Sequence, residues 1–413
     1  MFQKELIYNV NYTKFLAKKI RFTKSKSFSS TVSKVGVASI SIGIIVMIVS
    51  FATLFGFKNA IKTKLFSLSS HVQVCKITLN QSYEETPIDF NSDFYKNYRE
   101  IPEIRHVQKI INKPGILKSD KEIAGIVLKG IAEDFDWATF KANMVEGDTL
   151  NLAKGVNEII ISRTLANLVN AKVNQEILIY FMQNPPRARK LKVVGIYETG
   201  LQEYDKNMVL VNYRLLQKMN GWEANQVGHY EVFLKDFDKL AETLPKINQK
   251  LPPNLKLVSV IELFPQIFDW FSLLDRNILI VLILIFIVAS FNIVSVLFVM
   301  LLERTSMIGL LKTLGCEDKK IRQIFLYNAA WIIIRGIVLG NIFGFAICLI
   351  QYYFRVIPLD AESYYMSFVP IYFDWNSIIL LNILTFVIVF SVVFLPTVVI
   401  LRMKPVVAMK FKD

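Results

Sequence analysis

Residues 40–54 read Ile-Ser-Ile-Gly-Ile-Ile-Val-Met-Ile-Val-Ser-Phe-Ala-Thr-Leu and form the centre of an uncharged run over residues 35–57. A helix needs about 20 apolar residues to cross the hydrocarbon core of a bilayer, so this run of 23 residues is long enough. It is too long, and begins too far from the N-terminus, for the apolar region of a signal peptide. We therefore interpret it as an uncleaved membrane span.

Three more uncharged runs lie in the C-terminal third of the chain, at residues 277–302, 336–354 and 375–401. Residues 58–275 separate them from the first run and are long enough to bury a core of their own. The layout predicts an α-helical membrane protein with four transmembrane helices and a large mixed α/β domain inserted between helices 1 and 2. The third helix is expected to cover residues 323–354, of which only the last part is free of charge.

The positions of lysine and arginine predict the orientation of the spans. Residues 1–34 carry eight basic residues against the single acid Glu5, and residues 303–322 carry five. The segment 355–374 carries only Arg355, against three acids. We therefore expect residues 1–34, 303–322 and 402–413 in the cytoplasm, and residues 58–275 and 355–374 outside the membrane.

The net charge of +14 follows from this topology, because the three cytoplasmic segments together carry 17 basic and 5 acidic residues. Such charge attracts anionic lipid headgroups. No basic stripe with interleaved aromatic residues is present, so the sequence does not favour nucleic-acid binding.

The extramembrane region alternates strand and helix patterns. Residues 231–234, 236–251 and 256–260 predict a β-α-β unit, and residues 262–274 predict an amphipathic helix that runs into the second span. Two further strands, at residues 176–182 and 190–197, flank the loop Gln-Asn-Pro-Pro-Arg-Ala-Arg.

This loop contains Pro185 and Pro186, followed by Arg187 and Arg189. Tandem prolines stiffen the chain in an extended form and cannot donate to a strand ladder. A stiff projecting loop loses little entropy when it binds a partner. From the residues alone, an ordinary long hairpin and a docking loop both remain open.

Residues 303–322 predict a short surface helix, a turn and a second helix that enters the third span. Ile308, Leu311 and Leu314 recur at helical spacing, and Gly315 is placed to end the first helix.

This stretch resembles the signature of the FtsX/MacB-like permease family, through Ile308-Gly309-Leu310-Leu311-Lys312-Thr313-Leu314-Gly315. Met307 replaces a glutamate that is common in the family, although Glu303-Arg304 keeps a charged entry. The third span continues the resemblance with glycines at every fourth position, Gly336, Gly340 and Gly344, a pattern that lets another helix approach closely. The basic, proline-containing segment 402–409 is also similar to the family's ending.

Within this family the chain is most similar to the lipoprotein-releasing (LolC/LolE) permeases. The segments that carry this resemblance are residues 43–74, the proline–arginine hairpin with its following strand at 186–197, and the Gly-x-x-Glu-Tyr-Asp turn at 200–205.

The resemblance implies a MacB-like periplasmic domain and a multi-pass protein of the bacterial inner membrane that extracts lipoproteins and passes them to a periplasmic carrier. The partners it implies are an ABC ATPase dimer and a second permease copy or a paralogue. Residues 303–315 would couple to the ATPase, chiefly through the following residues: Glu303, Arg304, Ile308, Gly309, Leu311, Lys312, Leu314 and Gly315. The carrier would bind the hairpin residues Pro185, Pro186, Arg187 and Arg189.

The lipoprotein's acyl chains are expected against apolar faces such as Phe51, Phe55 and Val296. The chain contains no Gly-x-x-x-x-Gly-Lys-Ser/Thr loop and no metalloprotease or nucleophile-elbow motif. We therefore expect no catalytic residue, no metal and no cofactor in this chain, with ATP and Mg²⁺ bound by the ATPase subunit. The alternative is an FtsX-like regulator that transmits ATPase movement to cell-wall hydrolases.

Arg335 leaves two interpretations open. If the third span begins at Gly336, the side chain reaches the cytoplasmic interface. If the span begins at Ile324, Arg335 is buried in the membrane and needs a partner.

Overall fold

The computed structural model describes residues 28–78, 84–90, 92–118, 122–153, 156–183, 185–360 and 364–397. The chain divides into two units: a membrane unit (residues 1–59, 271–358 and 368–413) and an extramembrane unit (residues 60–270 and 359–367). Most of the predicted cytoplasmic segment 1–34, and all of the predicted tail 402–413, lie outside the described residues.

The elements are as follows in chain order. The helices are α1 (Phe28–Leu68), α2 (Asp93–Asn97), α3 (Trp137–Phe140), α4 (Arg163–Leu168), α5 (Gln202–Asp205), α6 (Tyr213–Asn220), α7 (Leu240–Gln249), α8 (Val260–Leu263), α9 (Pro265–Glu303), α10 (Thr305–Thr313), α11 (Asp318–Phe354) and α12 (Trp375–Val392). The strands are β1 (Val72–Lys76), β2 (Ile88–Asp89), β3 (Ile104–Lys118), β4 (Ile123–Ile131), β5 (Met144–Gly147), β6 (Glu158–Ser162), β7 (Glu176–Phe181), β8 (Arg187–Tyr197), β9 (Met208–Asn212), β10 (Gln226–Val227), β11 (His229–Leu234) and β12 (Leu255–Ser259).

Four helices of the described chain, α1, α9, α11 and α12, are long and apolar enough to cross a membrane. The mixed α/β domain follows the first of them and precedes the second. The predicted fold class is therefore confirmed.

In the membrane unit, α11 packs closely against α1 along a row of glycines. A Cβ atom added to Gly336 would lie 2.7 Å from Cβ of Ile40, and one added to Gly340 would lie 2.5 Å from Cβ of Ile44. Both distances are well inside the optimal carbon–carbon separation of about 3.5–4.0 Å. The helices can approach this closely only because these two positions have no side chain.

Polar side chains add contacts between the helices. Asn341 on α11 and Asn382 on α12 exchange amide hydrogen bonds of 2.7 and 3.1 Å, and Asn292 on α9 donates to Ser39 on α1. Such interhelical hydrogen bonds satisfy polar groups that would otherwise meet lipid.

Arg335 lies within α11, after 17 residues of continuous helix. Its side chain is exposed, with Cζ 4.3 Å from the centroid of the Trp331 ring. Arg335 is therefore not buried between the described helices, and its guanidinium makes a cation–π contact with Trp331.

The extramembrane unit contains a ten-stranded mixed sheet in the order β12-β1-β11-β3-β4-β9-β6-β8-β5, with β7 paired to β3 and β8. The pairs β4–β9 and β6–β8 are parallel. The predicted β-α-β unit is formed by β11, α7 and β12, and β1 lies between its two strands, antiparallel to both.

The two faces of this sheet pack against different parts of the chain. One face packs in a core that includes Val107, Leu128 and Val232 together with α6 and α7. The other face packs against the end of α1 and against residues 260–268, with Ile110 and Leu65 completely buried.

The predicted helix over residues 262–274 is interrupted at Phe264. The short helix α8 ends at Leu263, Phe264 has φ −128° and ψ 58°, and α9 begins at Pro265. A residue before proline is disfavoured in the helical region, and proline is well suited to the first turn of a helix. Pro265 therefore sets the start of the second long helix.

Candidate functional site

The predicted ATPase-coupling segment forms α10 and its two flanking turns. Arg304 separates α9 from α10, because its backbone angles of φ −103° and ψ 13° are not helical. After α10, Gly315 adopts φ +80°, and the N–H of Cys316 donates to the carbonyl of Leu311 at 2.9 Å. Because a left-handed residue at the end of a helix is most easily a glycine, Gly315 ends α10 as the sequence predicted.

The structure divides the apolar residues of α10 between two faces. Ile308, Gly309 and Leu311 are buried in the core of the membrane unit, whereas Leu310 and Leu314 are 56% and 74% exposed. Leu314 therefore does not share the buried face of Ile308 and Leu311. Helical order ends at Thr313, so Leu314 no longer follows the helical spacing.

The exposed surface of the segment includes the large apolar side chains of Leu310 and Leu314, together with Glu303, Ser306, Thr313 and Gly315. Lys312 instead forms an ion pair of 2.9 Å with Asp318, with its side chain only 11% exposed. Sequence reasoning missed Leu310 as an exposed residue of this segment, because its apolar pattern alone does not show which face of α10 is buried.

The predicted hairpin is formed by β7 and β8, which pair antiparallel from Glu176 with Lys192 to Phe181 with Arg187. Residues 182–186 form the connecting loop, of which Asn184 lies outside the described residues. Pro185, Pro186, Arg187 and Arg189 are all exposed. Arg187 belongs to the closing strand pair and Arg189 is opposite Ile179, so the two cations are held on one side of a rigid ladder.

The Gly-x-x-Glu-Tyr-Asp turn is held by Asp205. Its carboxylate accepts hydrogen bonds from the N–H and hydroxyl of Thr199 and from the N–H of Gly200, at 2.8–3.2 Å. Gly200 has φ +74°, a backbone conformation that favours glycine. The motif therefore has a structural explanation as a compact turn.

The predicted lipid-contacting residues lie in different surroundings. Phe51 and Phe55 are half-buried neighbours on α1, with ring centroids 5.9 Å apart. Val296 is only 4% exposed, and a Cβ atom added to Gly36 would lie 2.9 Å from its methyl group. Val296 is thus a packed residue of the core, and its contact with lipid stays a prediction.

An apolar groove of about 430 Å³ lies between α1 and α9, and it does not involve these three residues. Its lining includes Ile42, Val46, Leu284 and Val288. Further exposed large side chains continue along α9, so this helix presents an apolar surface to its surroundings.

Two family descriptions match this chain. Residues 37–250, more than half of the chain, match the MacB-like periplasmic core domain, and residues 279–405 match the C-terminal region of FtsX-like permeases.

Individual relatives extend the similarity over almost the whole length. The lipoprotein-releasing system transmembrane protein LolC of Neisseria meningitidis serogroup B is 22% identical, covering 95% of this chain and 97% of that protein. LolE of Haemophilus influenzae is 19% identical, covering 84% of this chain and 87% of that protein.

Among solved structures, the periplasmic region of MacB from Actinobacillus actinomycetemcomitans is 10% identical and covers 50% of this chain and 96% of its own, with a TM-score of 0.33. The match to the MacB-like core domain, its position after the first long helix, and the FtsX-like region that follows identify the family. The chain is a multi-pass membrane protein and belongs to the FtsX/MacB-like family of ABC-transporter permeases.

Proposed function

We propose that this chain is the permease subunit of an ABC transporter that extracts lipoproteins from the outer leaflet of a bacterial inner membrane and passes them to a periplasmic carrier. ATP is bound and hydrolysed by a separate ATPase subunit with Mg²⁺, and this chain contributes no catalytic group. The N- and C-termini face the cytoplasm, which places the extramembrane unit in the periplasm.

The hairpin of β7 and β8 is the observation that carries the proposal. Its tip presents Pro185, Pro186 and Arg187 to solvent on a rigid two-stranded ladder. A preorganised loop loses little conformational entropy on binding. The relatives named for lipoprotein release cover 95% and 84% of this chain.

The α10 segment supplies the contact with the ATPase. Ile308 and Leu311 fix it to the helical core, and Leu310 and Leu314 remain available to a partner. A push on this exposed side would be transmitted to the long helices because the buried side is packed against them.

A carrier is required by the energetics of extraction. Moving acyl chains from a bilayer into water costs about 0.8 kcal/mol per CH₂ group, on the order of tens of kcal/mol for a triacylated lipoprotein. One ATP cannot supply this. Transfer between an apolar surface, such as that of α9, and an apolar carrier pocket avoids most of the cost. A second permease subunit, either a copy or a paralogue, would complete the apolar surface.

The test is a photocrosslinking residue at position 187 in the intact membrane, with captured proteins identified by mass spectrometry. Capture of a soluble lipoprotein carrier is expected. Capture of a cell-wall hydrolase or its activator, with no carrier, would overturn the proposal in favour of a division regulator.

A charge reversal provides the functional control. Arg187→Glu is expected to stop transfer to the carrier while leaving ATP hydrolysis by the complex intact. Lys96→Glu makes the same change at an exposed position on α2, far along the chain from the hairpin. If both variants reduce transfer equally, the hairpin has no specific role.

A further inference from the structure

A cavity of about 760 Å³ lies over five adjacent strands of the sheet: β12, β1, β11, β3 and β4. Its lining includes polar side chains from all five strands, chiefly Gln73, Cys75, Asn112, Lys129, His229, Glu231 and Lys256. Burying a polar group away from water costs free energy unless the group has a hydrogen-bond or ion-pair partner. A concave space with convergent polar groups and some apolar walls is the usual form of a ligand site.

Part of this polarity is explained by an internal ion pair. Lys129 Nζ lies 2.6 Å from a carboxylate oxygen of Glu231 and 2.5 Å from the carbonyl oxygen of Leu68. Gln108 donates to the other oxygen of Glu231 at 2.7 Å. Lys129 and Glu231 therefore satisfy each other and the last carbonyl of α1.

Glu85 occupies a different part of the cavity. One oxygen of its carboxylate lies 2.7 Å from Nδ1 of His229, and the other accepts the N–H of Asn112 at 2.7 Å. A Cβ atom at Gly228 would overlap this carboxylate. These three groups, His229 Nδ1, the Asn112 N–H and the bare Cα of Gly228, form what we call the carboxylate site.

His229 is suited to hold an anion. Burial alone would lower its pKa, but Glu85 and Glu231 outweigh burial and raise the pKa to about 9. The imidazolium is thus charged near neutral pH. Its side chain is 2% exposed, and its Nε2 has no hydrogen-bond partner, lying 3.9 Å from Glu231.

The present occupant is itself a piece of acidic polypeptide. Glu85 lies in residues 84–87, which form neither helix nor strand, and it is not part of the sheet that forms the site. The cavity also offers Lys76 and Lys256 for neighbouring charges and Tyr204 and Phe264 for apolar side chains.

We propose that the cavity is a binding site for a carboxylate-bearing polypeptide segment, and that Glu85 occupies it as an intramolecular pseudo-ligand. A tethered occupant competes at an effective concentration in the millimolar range. An external segment therefore binds measurably only when Glu85 is displaced or removed. This site is separate from the hairpin and from α10, and its test needs neither ATPase nor carrier.

The experiment uses the full chain in lipid nanodiscs and a fluorescein-labelled peptide with the sequence of residues 82–87, Ser-Tyr-Glu-Glu-Thr-Pro. Fluorescence anisotropy is expected to show at least about tenfold tighter binding to Glu85→Ala than to the unchanged chain. Glu85→Gln keeps the shape of the side chain and is expected to have the same effect. Glu122→Ala, at an exposed position that does not line the cavity, is the matched control and should leave binding unchanged.

Two further measurements locate the peptide. His229→Asn in the Glu85→Gln background should abolish binding, and a peptide with Gln at the second Glu should bind about tenfold more weakly or worse. Cys75 lines the same cavity, so bound peptide should slow its alkylation, read by mass spectrometry. Equal affinity for the Glu and Gln peptides, equal binding to all chains, or no protection of Cys75 would each overturn the proposal.

Discussion

The contact between α1 and α11 provides a sharp test because its geometry differs from one glycine to the next. The substitution Gly340→Ala would place a Cβ atom 2.5 Å from Cβ of Ile44 and 2.9 Å from the carbonyl oxygen of Ser41. Neither neighbour is a flexible side-chain end, so the two helices must separate by about 1 Å to restore normal contact. Overpacking of this kind typically costs about 1–3 kcal/mol.

Gly344→Ala is the internal comparison. Its nearest neighbour would be the terminal methyl group of Ile48, at 3.1 Å, which a rotamer change can move. We therefore expect a loss below about 1 kcal/mol at this position. Gly125→Ala, with nothing within 4 Å of the added atom, should leave stability unchanged or slightly raised.

A double-mutant cycle identifies the clashing atom. The added atom would lie 2.5 Å from Cβ and 2.7 Å from Cγ2 of Ile44, so Ile44→Ala should rescue Gly340→Ala only in part, whereas Ile44→Gly should show the larger favourable coupling, on the order of 1 kcal/mol. Stability is measured by reversible unfolding of the full chain in mixed micelles. Equal losses at Gly340 and Gly344, or equal rescue by Ile44→Ala and Ile44→Gly, would refute the packing described for these helices.

Three further predictions concern polar groups. Asn341→Leu and Asn382→Leu should each destabilise the membrane unit. Measured by the same unfolding assay, a double-mutant cycle should give a coupling of about 0.6–1.7 kcal/mol between the two side chains. The pKa of His229 rises from 6.5 to about 9 on folding, so protonated His229 stabilises the folded state. This contribution to the free energy of unfolding is complete below pH 6.5 and is lost as the pH rises through 9. Tryptophan fluorescence melts should show this alkaline loss, on the order of 3 kcal/mol, and His229→Asn should abolish it. Lys129→Met leaves the buried Glu231 carboxylate without its cation and should cost about 3–5 kcal/mol by the same melts, whereas adding Glu231→Met should recover much of that loss.

Much of the candidate site could be predicted from short segments of sequence. The hairpin follows from tandem prolines between two strand patterns, and the end of α10 follows from Gly315, which adopts φ +80°. The faces of α10 could not be predicted with the same success. Leu314 recurs at helical spacing with Ile308, but the helix ends one residue before Leu314, and its side chain is exposed. Spacing identifies a face only while the helix continues.

The membrane architecture follows from the amino-acid sequence alone. The number and order of the spans depend on the length of each apolar run, which is a local property because every backbone group of a spanning helix is satisfied within that helix.

The polar cavity forms only in the tertiary fold. Glu85, Lys129, His229 and Glu231 are separated by up to 146 positions along the chain, and no local pattern relates them. They meet because β11, β3 and β4 are neighbours in a sheet whose registers place Glu231 opposite Gln108 and Lys129 opposite Asn112. Strand order and register arise from long-range packing of the whole sheet, since a shift of one residue would turn each of these side chains to the other face.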